Sequence, residues 1–140
     1  MKIKGDAVMI ANLEKLKVKS IDAAKSALYI EASNIIADSK ENYVPVDTGN
    51  LRKSAHTEQP KWFGKTISIV FGYGGLAAKY AAAVHENPRT GKTGGESPSG
   101  RKYKTWAKTG GWKYLELPLK KAVAGMNNRL AERMRKYVNR

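Results

Sequence analysis

The sequence contains no cysteine. That excludes disulfide bridges and cysteine-ligated metal, and it suits a reducing compartment without requiring one. Only two histidines are present, His56 and His85. His85-Glu86 opens as a zinc-protease helix does, but Asn87-Pro88-Arg89 follows. The second histidine, due four residues after the first, is missing, and Pro88 would break the helix. Ser54 lies near His56 in sequence, but a nucleophilic triad also needs an orienting acid and an oxyanion hole, and no pattern here supplies them. Acidic residues are scarce, 12 against 26 Lys and Arg. A carboxylate pair such as Asp47 with Glu86 is sterically conceivable, yet nothing in the sequence favours it. No apolar run approaches the roughly 18 residues of a membrane span, and the opening Met1-Lys-Ile-Lys-Gly-Asp6 lacks the apolar segment of a secretory signal. These absences give the expectation of a protein that is not an enzyme, holds no cofactor or metal, and has no membrane partner.

What the chain does have is positive charge. Its 140 residues are enough for one domain, and 41% hydrophobic content is enough for one modest core. The net charge is +14. Such a chain repels itself and is drawn to polyanions, with nucleic acid first and an acidic protein surface behind it. No element is patterned for reading a base sequence, so any DNA contact is expected to be non-specific.

Residues 1–6 are polar and expected to fray. Over residues 7–42, Leu13, Leu16, Ile21, Ala24, Leu28, Ala32, Ile35 and Ile36 recur at helical spacing, with Lys15, Lys17, Lys19, Lys25 and Glu31 outside the stripe. Ser20 and Asp22 leave open two helices in line. Unbroken, the helix would be about 50 Å long, more than a small core needs. It either crosses a sheet or reaches a neighbouring subunit.

Tyr43-Val-Pro-Val-Asp-Thr-Gly-Asn-Leu-Arg-Lys-Ser54 then turns the chain. Pro45 stops the helix and biases Val44 to extended backbone. Asp47 and Thr48 can cap backbone N–H groups, Gly49 permits positive φ, and Leu51 anchors the corner beside Arg52. A strand is expected within residues 53–59 and another over 66–72, where Ile67, Ile69 and Phe71 alternate with smaller or polar residues. Residues 60–65 would form the hairpin connection, with Trp62 and Phe63 packed on the sheet edge. Gly72-Tyr-Gly-Gly75 matches neither phosphate-binding fingerprint and reads as a flexible turn. Residues 76–86 read as a short alanine-rich helix with Leu76, Tyr80 and Val84 on one face.

Residues 87–111 have no period and read as a long loop. It carries Arg89, Lys92, Arg101, Lys102, Lys104 and Lys108 against only Glu96, with Tyr103 and Trp106 interleaved. Basic and aromatic residues mixed in this way suit nucleic-acid contact, and a solvated loop folding its aromatics back on the sheet is the alternative. Residues 112–117 alternate as a strand would. Pro118 can open a last helix, with Leu119, Ala122, Val123, Met126, Leu130, Met134 and Tyr137 as its apolar stripe and a basic end. The expected fold is α+β: a long N-terminal helix and a C-terminal helix on a small antiparallel sheet of three to four strands, with a short inserted helix and a long basic loop.

Three segments carry a family resemblance. They are Pro45-Val-Asp-Thr-Gly-x-Leu-Arg-x-Ser54, Tyr80-Ala-Ala-Ala-Val-His-Glu86 and Tyr114-Leu-Glu-Leu-Pro-Leu119. In this order, after a long helix, they resemble the tail-completion (neck, head–tail connector or minor capsid) proteins of long-tailed bacteriophages. The resemblance implies a structural virion subunit at the neck, made in the bacterial host cytoplasm. It implies a ring, six-fold in the virion and monomeric when free, between head-closure protein and tail-terminator or tail-tube protein. Double-stranded DNA would pass through with weak, non-specific contact. Carried over residue by residue, Pro45, Asp47, Thr48, Gly49, Leu51, Arg52, Tyr80, Glu86, Leu115 and Pro118 would shape the corner and the subunit contacts. The basic loop, longer than in many members, would line the lumen or dock on an acidic neighbouring ring. His85 at an interface would make assembly sensitive to pH. The alternative reading is a small basic protein that binds free DNA without sequence preference.

Overall fold

The computed structural model describes residues 5–46, 49–75, 78–88 and 110–140. The fold is the expected α+β arrangement. Helix α1 runs from Asp6 to Asp38 and is about 50 Å long at 1.5 Å per residue. It does not break at Ser20, whose hydroxyl donates to the Leu16 carbonyl at 2.8 Å, within the helix's own turn. One π-helical turn, Ser39–Tyr43, follows, closed by the Val44 N–H on the Ser39 carbonyl at 2.8 Å. Val44 is extended at ψ 123, as a residue before proline should be. The single-turn helix α2 (Asn50–Lys53) completes the corner.

Four short antiparallel strands come next: β1 (Ala55–Thr57), β2 (Lys61–Phe63), β3 (Thr66–Ser68) and β4 (Phe71–Tyr73). They form two pairs, β1 with β4 and β2 with β3, which are the inner and outer parts of one hairpin. Thr57 faces Phe71, and Lys61 faces Ser68. Between those positions three residues oppose two, as at a β-bulge, and Pro60 sits in the longer arm without an N–H to give. The alternation over residues 66–72 is therefore split in two. Gly72 and Tyr73, expected in a flexible turn, belong to β4. Trp62 and Phe63 are not packed on a sheet edge. The outer pair projects, and Phe63 is 63% exposed.

Helix α3 (Ala78–Glu86) leads toward the basic loop; residues 89–109 lie outside the described residues, as do residues 1–4, Asp47, Thr48 and Leu76. Residues 112–117 do not form the expected strand. The Gly111 N–H donates to the Tyr43 carbonyl at 2.9 Å and the Lys113 N–H to the His85 carbonyl at 2.7 Å, two separate stitches instead of a ladder. Lys113 has φ 57, which no strand residue adopts. Glu116 already opens α4 (Glu116–Val123), its carboxylate at the positive helix end and Pro118 in the donor-free first turn. The last helix is two helices. Ala124 is extended and Gly125 left-handed at φ 71 before α5 (Met126–Val138) begins.

Helix α5 lies along α1, and β1 and β4 pack on α1 as well. Ala23, Ala27 and Ala32 are the buried small residues of α1, with Ile35 and Ile36 beyond them. Arg129 and Arg133 of α5 meet Glu31, while Tyr137 sits beside residues 11–22, so α5 runs antiparallel to α1. It ends before it reaches the first turns of α1. Leu13 and Leu16, expected in the core stripe, are accordingly exposed.

Candidate functional site

The corner after α1 forms a core of its own. Val44, Leu51, Ala81, Val84 and Tyr114 are buried together, and Tyr43, Tyr73, Tyr80 and Leu115 pack against them. All three resemblance segments contribute to this one cluster. Complete burial of a side chain such as Val44 contributes about 1.5–3 kcal/mol.

Hydroxyl groups bind the cluster internally. The Tyr114 hydroxyl donates to the Ala81 carbonyl of α3 at 2.7 Å. Ser39, fully buried in the π turn, donates its hydroxyl to the Tyr114 carbonyl at 2.7 Å and lies 2.6 Å from the Tyr73 hydroxyl of β4. Tyr114 also meets the rings of Tyr73 and His85 edge to face, at 5.1 and 4.9 Å between centroids. Burial pushes the Tyr73 phenol up to about 12 and raises that of Tyr114 further, so both stay protonated and usable as donors. Ser39 was not singled out from sequence, and no local pattern separates it from any other helix-end serine. Tyr114 opens the third resemblance segment, but no local pattern marks it as the residue at the centre of the core.

Among the carried-over residues, Pro45 and Pro118 are buried. Gly49 adopts φ 78 just before α2, a conformation that costs a side-chain-bearing residue about 1–2 kcal/mol. Leu51 is in the core. Arg52 lies within electrostatic reach of the Tyr73 hydroxyl, and its Nε is buried. Tyr80 and Leu115 flank the core. Asp47, Thr48, Arg89, Lys92, Arg101, Lys102, Lys104 and Lys108 lie outside the described residues.

Glu86 sits on the surface above this core, at the end of α3. It accepts from the Lys113 ammonium and from His85 Nδ1, each at 2.7 Å. The Lys113 hydrogen bond, then the His85 one, hold the Glu86 carboxyl below its ordinary range. Lys113 also pairs with Glu116 at 2.9 Å, and Lys120 reaches Glu116 at 2.6 Å. Hydrogen bonds from Lys120 and then Lys113 bring Glu116 down to about 2. The result is a surface ladder of alternating charge that ties the end of α3 to the start of α4. Asp47, the other member of the conceivable carboxylate pair, lies outside the described residues. Among the described residues, no group of three His, Asp or Glu side chains is placed to hold a metal ion, and no helix is long and apolar enough to cross a membrane.

A second ionic cluster holds α5 on α1. Glu31 is 3% exposed and accepts from Arg129 Nε and Nη2 at 3.0–3.2 Å. It also pairs with Arg133. Arg129 further donates to the Ala122 and Ala124 carbonyls, capping the end of α4. Nearby, Lys121 reaches Asp38 at 3.0 Å. Burial alone would raise the Asp38 carboxyl, but hydrogen bonds from Asn42 and Lys121 outweigh it and the net shift is downward.

The first three turns of α1 contrast with all of this. Val8, Met9, Ile10, Leu13, Leu16 and Val18 are each between 51% and 66% exposed. They make an apolar arm of about 20 Å, with Tyr137 of α5 beside only its inner part.

Comparison with protein-family models, with curated proteins and with solved structures finds no match.

Proposed function

We propose that this chain is a structural subunit of the tail-completion or head–tail connector type, which assembles into a ring at the neck of a long-tailed bacteriophage. One observation carries the reading. Three segments that resemble the family, separated by some thirty residues each, converge in a single core around Val44, Leu51, Ala81, Val84 and Tyr114. The chain then acts by assembly and not by catalysis. Its ring contacts head-closure protein on one side and tail-terminator or tail-tube protein on the other, within the virion. The +14 charge favours weak, diffuse contact with DNA in transit, since a tight grip would hold the genome back. The same charge supports the second reading, a small basic protein that binds free duplex DNA.

Native mass spectrometry with and without duplex DNA, at low and physiological salt, separates the two. The connector reading expects a closed ring, or a monomer that holds DNA poorly at physiological salt. A monomer or dimer that holds DNA tightly with a steep salt dependence overturns it. Where His85 tunes assembly, ring formation between about pH 5.5 and 8 differs between wild type and His85→Ala, and identical profiles remove that role.

A further inference from the structure

We infer that the tip of the β2–β3 ribbon is a stacking platform for unpaired bases, through which the chain holds single-stranded nucleic acid in preference to an intact duplex. The inference goes beyond the ring reading and does not depend on it.

β2 and β3 pack chiefly on each other. A two-stranded ribbon standing off its domain is marginally stable in water, yet this one carries two large rings near its end. Trp62 is 38% exposed and Phe63 63%. The register sets Trp62 opposite Ile67 and Phe63 opposite Thr66, so the two rings lie on opposite faces of the ribbon. Gly64, at φ 61, and Lys65 make the turn, where the Lys65 N–H donates to the Phe63 carbonyl at 2.6 Å. Two apolar rings thus stand side by side at the tip, with one lysine at the apex and Lys61 behind.

Local charge does not single out this place. Over residues 55–73 the charged side chains are Glu58, Lys61 and Lys65, and Glu58 accepts from Lys61 at 3.5 Å. Where the ribbon joins the body, Lys53 is exposed, and Lys40 and Glu41 line a cleft beside β1 with His56. The chain as a whole, at +14, supplies the attraction to phosphates. The rings add what phosphates cannot use, a surface for base faces.

Aromatic side chains with cations alongside are how single strands are held without sequence preference. A duplex offers no free base face, and entering it means unstacking a base step. A lipid surface fits less well. Lys61, Thr66 and Ser68 share the face of Phe63, and the apex is Gly64-Lys65, so inserting the rings would carry polar side chains and turn backbone into the apolar layer.

The test is fluorescence anisotropy of the full chain with a labelled mixed-sequence strand of about 20 nucleotides, as DNA, as RNA and as duplex DNA, between about 0.1 and 0.5 M salt. Phe63→Ser, Phe63→Leu and Phe63→Trp are compared with wild type. The position is exposed, so the fold is expected to stand, and circular dichroism verifies it. At about 0.3 M salt the wild type should hold a single strand at least about fivefold tighter than the duplex. Phe63→Ser and Phe63→Leu should lose roughly 5- to 100-fold on the single strand at every salt concentration, with unchanged salt slope, and Phe63→Trp should keep the wild-type affinity. Lys65→Gln should instead make the slope shallower by about 0.7, one phosphate's share. The DNA and RNA arms show which strand the tip holds better. A duplex bound as tightly as the single strand overturns the proposal, as does a Phe63→Ser chain that binds the single strand like wild type. Phe63→Leu at wild-type affinity overturns stacking. An effect of Phe63→Ser confined to flotation with vesicles containing about 30% anionic lipid assigns the tip to a membrane instead. None of these outcomes touches ring formation, which native mass spectrometry reads separately.

Discussion

The two halves of α1 are one unbroken helix with opposite fates. From Ala23 to Ser39, Ala23, Ala27, Ala32, Ile35 and Ile36 are buried, with α5, α4 and the hairpin packed on this half, and its single buried acid, Glu31, is bracketed by two arginines. From Asp6 to Lys19 every residue is exposed, although the arm is richer in large aliphatic side chains than the buried half. Hydrophobicity therefore does not decide which half is inside. The reach of the elements packed on it does. Alanines at 23, 27 and 32 let another helix approach closely, whereas the bulkier arm extends past the end of α5. One half builds the core and the other lies open to solvent.

Substitutions can break or sharpen that contrast. The largest effect is expected at the corner core: Tyr114→Ala removes a buried ring and the bond to the Ala81 carbonyl and should cost about 3–5 kcal/mol, read from denaturant midpoints. Next comes Glu31→Ala, which strands two guanidinium groups at the α1–α5 seam. Partial exposure of both arginines moderates the loss to about 2 kcal/mol in the same assay. In the arm, Leu13→Ser should change monomer stability by less than about 0.5 kcal/mol, because no tertiary contact is lost. A loss comparable to that of Glu31→Ala would erase the contrast.

The smallest expected effect concerns acid. The folded Glu116 carboxyl sits at about 2, below its ordinary 4.5. Its pairing therefore contributes fully above pH 4.5 and is lost as pH falls toward 2, when the unfolded chain takes up the proton first. Glu116→Gln should lower stability slightly at neutral pH and flatten that part of the acid-unfolding profile, the two chains converging as pH falls toward 2, as followed by circular dichroism. An unaltered acid limb would show that the Lys113 and Lys120 pairs carry no linkage.

Much of this fold is legible from residue pattern. The stripe from Ile21 to Ile36 marks the buried half of α1, and the proline and glycine of the corner mark where the chain turns. The hairpin follows from its alternation, but its bulge does not, because the offset depends on which residue faces which across the strands. Residues 112–117 mislead because Trp, Tyr and Leu alternate as in a strand. Their backbone bonds go to Tyr43 and His85, partners far away in sequence that no local period reports. The break at Gly125 is masked by an apolar stripe that continues on both sides of it. Of the candidate site, Leu51 is in the core, Tyr80 and Leu115 lie beside it, and Pro118 is buried. Ser39 was hidden because its importance lies in the 34- and 75-residue sequence separations to Tyr73 and Tyr114. The arm was half legible: its length beyond the core's needs was apparent, its bareness was not.

Amide hydrogen exchange along α1 tests the central claim most directly. In the free chain, amides of residues 8–19 should exchange rapidly, as in an unsupported helix, while those of residues 23–38 exchange only on global unfolding. An arm as protected as the buried half would contradict the division of α1 into a packed half and an open one.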